Sequence, residues 1–542
     1  MGRRLANKKT RMETGFDYVL SELELGTPFG KKEIKEKQPF FPGQEEALRR
    51  ELDKIGEMIQ LSEGCSRSID ILKETFMEMK DNSFTIERSK TSVLSVVEIF
   101  EIKSLLLQMK KIRELFRDTG LPVEFVLEDT DSLLGALDPR GDGLNTFYIY
   151  DEFSQKLGEM RKEKRNIELS IRRENKAKKQ EIKEKYGIIL NPKFEFTVSK
   201  ANDESIKMIH EIADLQQMEE DYTSVTFTLK KTERIYAFLS EMESLNQQIE
   251  EEEDAVREEL SRVIGTYEQV LSENCRRLGE LDITLSKALY AKKHKCVKPE
   301  ITDRHKIEIW EGRHLKVEDA LLSKGKSYCP VSITLEDGVT CITGANMGGK
   351  TVSLKLVGLI AMLTQYGLFV PADRAQVGLS NYMQILIGDS QSVERGLSSF
   401  GSEMEELKEI LDNSKERSLL LIDEIASGTN PVEGLALTRS LVDYLKARSY
   451  ISLITTHFET VTEDPEVRNM QVRGLAGADF DLLDREIRYA SRKERIDIIS
   501  KYMDYRLKQV EDQSEIPKDA LNIAKMLGIG SDIINRAKDY MK

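Results

Sequence analysis

The sequence predicts a multidomain protein, mostly α-helical in its first part and α/β beyond residue 300. Three observations lead there. A length of 542 residues, at roughly 150 per domain, gives three or four domains. A composition of 39% hydrophobic, 32% charged and 7% aromatic residues can build cores but favours long solvated helices over sheets packed on sheets. Beyond residue 300, short apolar runs alternate with helical periodicities, the pattern of a mostly parallel sheet covered on both faces.

Residues 1–150 read as a helical core. Stretches 45–61 and 93–116 carry Leu, Ile and Met at three- and four-residue spacing, and the turn string Asp138-Pro139-Arg140-Gly141-Asp142-Gly143 closes the segment. Residues 151–291 read as a long helical lever hairpin. Its first arm, about 150–186, is basic, with Arg161, Lys162, Lys164, Arg165, Arg172 and Arg173 among its charges; its second, about 233–285, carries Glu250-Glu251-Glu252-Glu253-Asp254. The basic arm alone would suit nucleic acid. Opposite charge bias on two long helices is better explained by an antiparallel coiled-coil pair whose flanking charges meet.

Between the arms, about 188–231, the alternating strings Phe194-Glu195-Phe196-Thr197-Val198 and Ser224-Val225-Thr226-Phe227-Thr228-Leu229 flank a helical run over 206–218, giving a small tip carried on the hairpin. From 186 to 231 it holds five Lys/Arg against eight Asp/Glu, the wrong sign for gripping phosphates. Residues 292–302 read as a linker, 300–500 as the α/β domain and 501–542 as a helical C-terminal segment.

Several classes are disfavoured. No run of 18 apolar residues occurs, so no membrane partner is expected, and the basic start without an apolar stretch suggests a cytoplasmic protein. Five scattered cysteines without C-x-x-C spacing suit reduced thiols and no structural zinc. The formal net charge of −14 weakens any default of non-specific nucleic-acid binding without excluding a local basic groove.

The chemistry lies in the α/β domain. The apolar string Val339-Thr340-Cys341-Ile342-Thr343 runs into Gly344-Ala345-Asn346-Met347-Gly348-Gly349-Lys350-Thr351, which fits G-x-x-x-x-G-K-[ST] and opens an apolar helix. In such a loop Gly344, Asn346, Gly348 and Gly349 bring backbone N–H groups to the phosphates of ATP, Lys350 reaches the β- and γ-phosphates, and the Thr351 hydroxyl ligates Mg²⁺. Further on, Ser418-Leu419-Leu420-Leu421-Ile422-Asp423-Glu424 is an apolar strand ending in two carboxylates, which packing alone does not explain. Asp423 can hold the Mg²⁺ shell and Glu424 can activate the attacking water, while His457, after the strand 451–456, can sense the γ-phosphate or hold that water. The expected activity is hydrolysis of ATP to ADP and phosphate.

Two further strings extend this. Leu397-Ser398-Ser399-Phe400-Gly401-Ser402-Glu403-Met404 reads as a serine-capped helix start, and Ile425-Ala426-Ser427-Gly428-Thr429-Asn430-Pro431 follows Glu424. With Gly-Ala-Asn-Met-Gly-Gly-Lys-Thr and Thr455-Thr456-His457-Phe458, they resemble the nucleotide motifs of the MutS family of ABC-type ATPases. Gly312-Arg313-His314, Leu281-Asp282 and the C-terminal string Ile533-Ile534-Asn535-Arg536-Ala537 are similar as well. The resemblance implies an ABC-type ATPase domain over 300–500, a dimerisation element over 501–542 and a homodimer with composite ATP sites. In those sites Ser398 or Ser399 of one subunit faces the ATP of the other.

Departures bear on the partner. The Phe-x-Glu wedge and the N-terminal reader of the repair-type members are expected to be missing. The run Gly349-Lys350-Thr351-Val352-Ser353-Leu354-Lys355 is closer to the second bacterial MutS subfamily, whose C-terminal nuclease domain is not expected after Arg536. The family default is a clamp on mismatched or branched DNA in repair or recombination. A truncated, acidic MutS-like chain also resembles the reactivating ATPases of lysine 5,6-aminomutase, a B12-dependent enzyme, where the client is a protein. DNA and a protein client therefore stand side by side as expected partners.

Overall fold

The computed structural model describes residues 4–118, 120–344, 349–388, 399–475, 477–488, 490–510 and 519–540. The chain divides into two compact units, residues 78–277 and residues 1–77 with 278–542. Thus 1–77 joins the α/β unit, whereas sequence pattern alone grouped it with a helical core reaching residue 150.

In the unit 78–277, the helix Val96–Leu115 starts at a capping box formed by Ser95 and Glu98. The basic arm is the helix Gln155–Tyr186, capped by Ser154 and ended by Gly187 at φ +69°, a left-handed position that glycine takes without strain. It pairs with the helix Glu233–Thr266. Arg161 lies 2.6 Å from Glu253, Lys156 2.8 Å from Glu252, and Arg234 3.7 Å from Glu174. The start of the first helix, at 156 and 161, meets 252 and 253, while 174 meets 234 further back, so the pair is antiparallel and its charges meet as expected. The acidic arm is not continuous to 285: it stops at Tyr267, and a new helix runs Glu268–Lys293.

The tip is a three-stranded antiparallel sheet of β1 (Glu195–Ser199), β2 (Leu215–Glu220) and β3 (Ser224–Leu229), ordered β1-β3-β2. The expected helical run over 206–218 is corrected here. Its helix is Asp203–His210, and Leu215–Glu220 is a strand. Gln, Met and Glu favour helix locally, but the Asp221 turn, accepting from the Thr223 and Ser224 N–H groups, folds β2 onto β3, and pairing outweighs propensity.

In the other unit, β4 (Glu300–Thr302), β5 (Lys306–Gly312), β6 (Val331–Glu336) and β8 (Arg374–Gly378) form a four-stranded sheet, β4-β8-β5-β6. The main sheet contains β7 (Gly338–Thr343), β9 (Tyr382–Ile387), β10 (Ser418–Asp423), β11 (Tyr450–Thr455), β12 (Arg468–Gly474) and β13 (Asp504–Gln509), ordered β13-β12-β7-β11-β10-β9. All its neighbours are parallel except β13, which runs antiparallel to β12. The segment 501–542, expected to be helical, therefore gives its first residues to the sheet; the helices Asp519–Met526 and Ser531–Tyr540 follow.

Side-chain alternation covers both faces of this sheet. Leu419, Leu421, Ile451 and Leu453 cluster with Leu356, Val357 and Ile360 of the helix Gly349–Gln365. Leu420, Ile422 and Ile454 cluster with Leu441, Val442 and Leu445 of the helix Pro431–Lys446. The N-terminal segment braces the same region. Met383 N–H donates to the Leu5 carbonyl at 2.8 Å, Thr10 Oγ1 to Gln384 at 2.5 Å, and Lys355 pairs with Glu13 at 2.7 Å.

Candidate nucleotide site

Three neighbouring parallel strands, β7, β11 and β10, end at one edge. Ladder register sets Thr455 opposite Asp423 on one side and Ile342 on the other. Ligands of parallel α/β sheets bind beyond such carboxyl ends. After β7, Gly344 has φ +118°, a backbone that only glycine adopts freely. The helix beginning at Gly349 brings in Lys350 and Thr351 at its first turn.

Lys350 is nearly buried, its side chain 4% exposed. Its Nζ donates to the Gly344 carbonyl at 3.0 Å and sits 3.1 Å from Glu424 Oε1 and 3.3 Å from His457 Nδ1. His457 Nε2 lies 2.8 Å from Glu424 Oε2. One tautomer satisfies all of this: Nε2–H donates to Glu424 while Nδ1 accepts from Lys350. The His457 hydrogen bond, and then the Lys350 charge, hold the Glu424 carboxyl below its ordinary value of 4.5, although burial pushes it up. Glu424 reaches this position through a left-handed backbone, φ +48°, followed by Ala426 at φ +59°. Non-glycine residues hold such angles only where their surroundings impose them.

Asp423 faces the helix start, with Thr351 Oγ1 donating to its Oδ2 at 2.9 Å. A hydroxyl and a carboxylate side by side are hard oxygen donors suited to Mg²⁺, which takes one or two protein oxygens and completes its shell with water and phosphate. Among the described residues no group of three or more His, Cys, Asp or Glu could hold a metal by itself.

The structure thus brings together Gly344, Gly349, Lys350, Thr351, Asp423, Glu424 and His457. Asn346, Gly348 and Ser398 lie outside the described residues, and Ser399 is described only as the first residue of the helix Ser399–Asn413. The expected lack of Phe-x-Glu is corrected: Phe76-Met77-Glu78 fits the pattern. Phe76 is 1% exposed in the helix Ser66–Met77, so it is a packing residue and no wedge. Sequence reasoning missed a cavity of about 650 Å³ against Gly349 and Val352, walled by Val317, Leu321, Tyr328 and Tyr505. Its walls come from three distant segments, and no local motif marks them.

A central parallel strand leading into Gly344, a helix that starts at Gly349 with a buried lysine in its first turn, and carboxylates at the end of β10, one strand removed from β7, match the layout of P-loop α/β domains. Residues 340–542 match the family model of MutS domain V. The DNA mismatch repair protein MutS of Salinibacter ruber is 28% identical over 528 residues, 91% of this chain and 54% of that protein. Endonuclease MutS2 of Pediococcus pentosaceus is 33% identical over 292 residues, 53% of this chain and 34% of that protein. Endonuclease MutS2 of Halothermothrix orenii is 27% identical over 483 residues, 82% of this chain and 56% of that protein. Over residues 340–542 the chain therefore resembles MutS domain V. It spans a third to somewhat over half of the length of these relatives, from 34% to 56%. Among the described residues no helix is long and apolar enough to cross a membrane.

Proposed function

We propose that the chain is a Mg²⁺-dependent ATPase of MutS type, working as a homodimer in DNA repair or recombination. The observation that carries the ATPase reading is the contact set around Lys350: one buried ammonium held by the Gly344 carbonyl, Glu424 and His457. A γ-phosphate beside Lys350 exchanges these contacts for its own oxygens and leaves Glu424 and His457 facing the water behind it. Glu424, ionised through its low pKa, accepts the water's proton, and His457 Nε2–H orients the carboxylate. Mg²⁺ would be held by Thr351 and Asp423 and would neutralise charge that develops on the phosphates. The cavity between Tyr328 and Tyr505 offers apolar and aromatic walls for the base.

The DNA part rests on the relatives' names, which favour it over the aminomutase client. One observation favours a protein client of some kind: the tip's acids outnumber its bases, eight to five, and the basic arm's Arg161 and Lys156 are engaged by Glu253 and Glu252. A salt titration of binding to homoduplex, mismatched and four-way-junction DNA, with and without ATP, separates the two. Linear duplex is expected to bind no better than about micromolar at physiological salt. Nanomolar, salt-steep binding to mismatched or branched DNA carries the DNA reading, and uniformly weak binding to all three refutes it in favour of the protein client.

A further inference from the structure

We propose that Thr455 is a positioning residue for hydrolysis: one buried hydroxyl that orients both the metal-side carboxylate, Asp423, and the water-activating one, Glu424. The proposal rests on the ATPase reading above. Thr455 ends β11 directly opposite Asp423 in the ladder, and its side chain is completely buried. Of the preceding β11 residues, Ile451, Leu453 and Ile454 are apolar and buried, with Ser452 buried among them, so the position would accept Val on packing grounds. A hydroxyl sealed there costs stability unless both its donor and its acceptor are used.

Both are used, and both on the site. Thr455 Oγ1 donates its single proton to Asp423 Oδ1 at 2.5 Å and accepts from the Glu424 N–H at 3.0 Å. The Glu424 N–H also lies 3.1 Å from the Thr455 carbonyl. The first bond occupies one Asp423 oxygen and turns the other, Oδ2, to Thr351 at 2.9 Å, where Mg²⁺ would be held. The second pins the backbone at the left-handed Glu424, φ +48°, whose carboxylate then meets Lys350 and His457. No phosphate-binding group is touched by Thr455 itself, so its loss should act on turnover and on Mg²⁺ coupling more than on ATP affinity.

The test compares the full chain with Thr455→Val and Thr455→Ser. Thr455→Val is expected to lower kcat about ten- to a hundredfold, the loss of hydrogen bonds to a charged group, with KM for ATP within about threefold and a raised Mg²⁺ requirement. Thr455→Ser keeps the hydroxyl and should stay within about threefold of the parent kcat. Equal activity in all three chains, equal impairment of Val and Ser, or a KM that rises as steeply as kcat falls overturns the proposal. A parent chain without turnover sinks the ATPase reading instead, and binding of a fluorescent ATP analogue then decides the matter for Thr455. Tightening by Mg²⁺ should be lost in Thr455→Val and kept in Thr455→Ser; identical Mg²⁺ dependence in all three overturns it. If the Val chain does not fold, Thr455→Ser against Thr455→Ala gives the same readouts with a near-constant volume.

Discussion

Replacing Glu424 with Gln removes one charge and one proton acceptor while keeping the length and branching of the side chain. In the parent, Oε1 lies 3.1 Å from Lys350 Nζ and Oε2 lies 2.8 Å from His457 Nε2. Gln can offer its carbonyl to only one of these donors, and its amide then faces the other. Lys350 loses its counter-charge but gains freedom to bind phosphate, so ATP affinity is expected to hold or improve slightly. Turnover loses its proton acceptor, a role worth about 10²- to 10⁴-fold, or about 3–5 kcal/mol in the barrier at 1.36 kcal/mol per decade. The assay pairs equilibrium binding of a fluorescent ATP analogue with single-turnover phosphate release. Binding within about threefold of the parent with release slowed at least a hundredfold is the expected split. Unchanged release would remove Glu424 from water activation, and lost binding would make it a phosphate-site residue. The parent's pH profile adds a check. In the free chain Glu424 is a carboxyl with a lowered pKa, so it stays ionised down to below 4.5, and an acidic limb of kcat/KM, which reports the free chain, lying above that value belongs to another group.

Three further outcomes are expected. If Ser398 or Ser399 completes the site of a second subunit, mixing Ser398→Arg/Ser399→Arg chains with Lys350→Ala chains should recover about a quarter to a half of parent activity through one intact composite site per heterodimer; no recovery would mean each subunit works alone. Glu51→Gln should destabilise the α/β unit by about 3 kcal/mol in denaturant unfolding, because it strands the buried Lys287, 3.0 Å from Glu51. Although burial pushes Glu51 up, the Lys287 and Lys37 ammonium groups bring it down to about 2; its contribution is therefore present from its ordinary value of 4.5 up to about 7, to which burial lowers Lys287, and disappears as pH falls towards 2, so equal acid sensitivity in parent and variant would contradict it. Arg161→Ala should cost no more than about 1 kcal/mol in the same assay, since its pairs with Glu253 and Asp151 are partly solvated; a larger loss would make the hairpin charge a structural keystone.

The parts of this protein legible in its sequence are those written in consecutive residues. The run from Val339 to Thr351 shows strand, loop and helix by spacing alone, and Asp423-Glu424 after four buried apolar residues announces a strand end with chemistry. Opposite charges on two long helical patterns foretold the antiparallel hairpin, realised by Arg161 with Glu253. What was not legible depends on distant partners. β2 is a strand because β3 returns upon it, β4 and β8 pair across more than seventy residues, and Tyr328 meets Tyr505 only at a shared cavity. The break at Tyr267 is marked only by Gly265 in the last turn, a single glycine that a helix also tolerates. Within the site, Lys350, Asp423 and Glu424 were visible with their roles, whereas Thr455 was visible only as a letter of the Thr455-Thr456-His457-Phe458 string, because its role appears only when ladder register sets it against Asp423.

The central claim is that this chain hydrolyses ATP at Lys350, Asp423 and Glu424, and phosphate release by the purified full chain tests it most directly. Steady release that requires Mg²⁺, stops on chelation and is lost in Lys350→Ala is the predicted result. No release under any divalent condition, or a Lys350→Ala chain releasing phosphate at the parent rate, would contradict it.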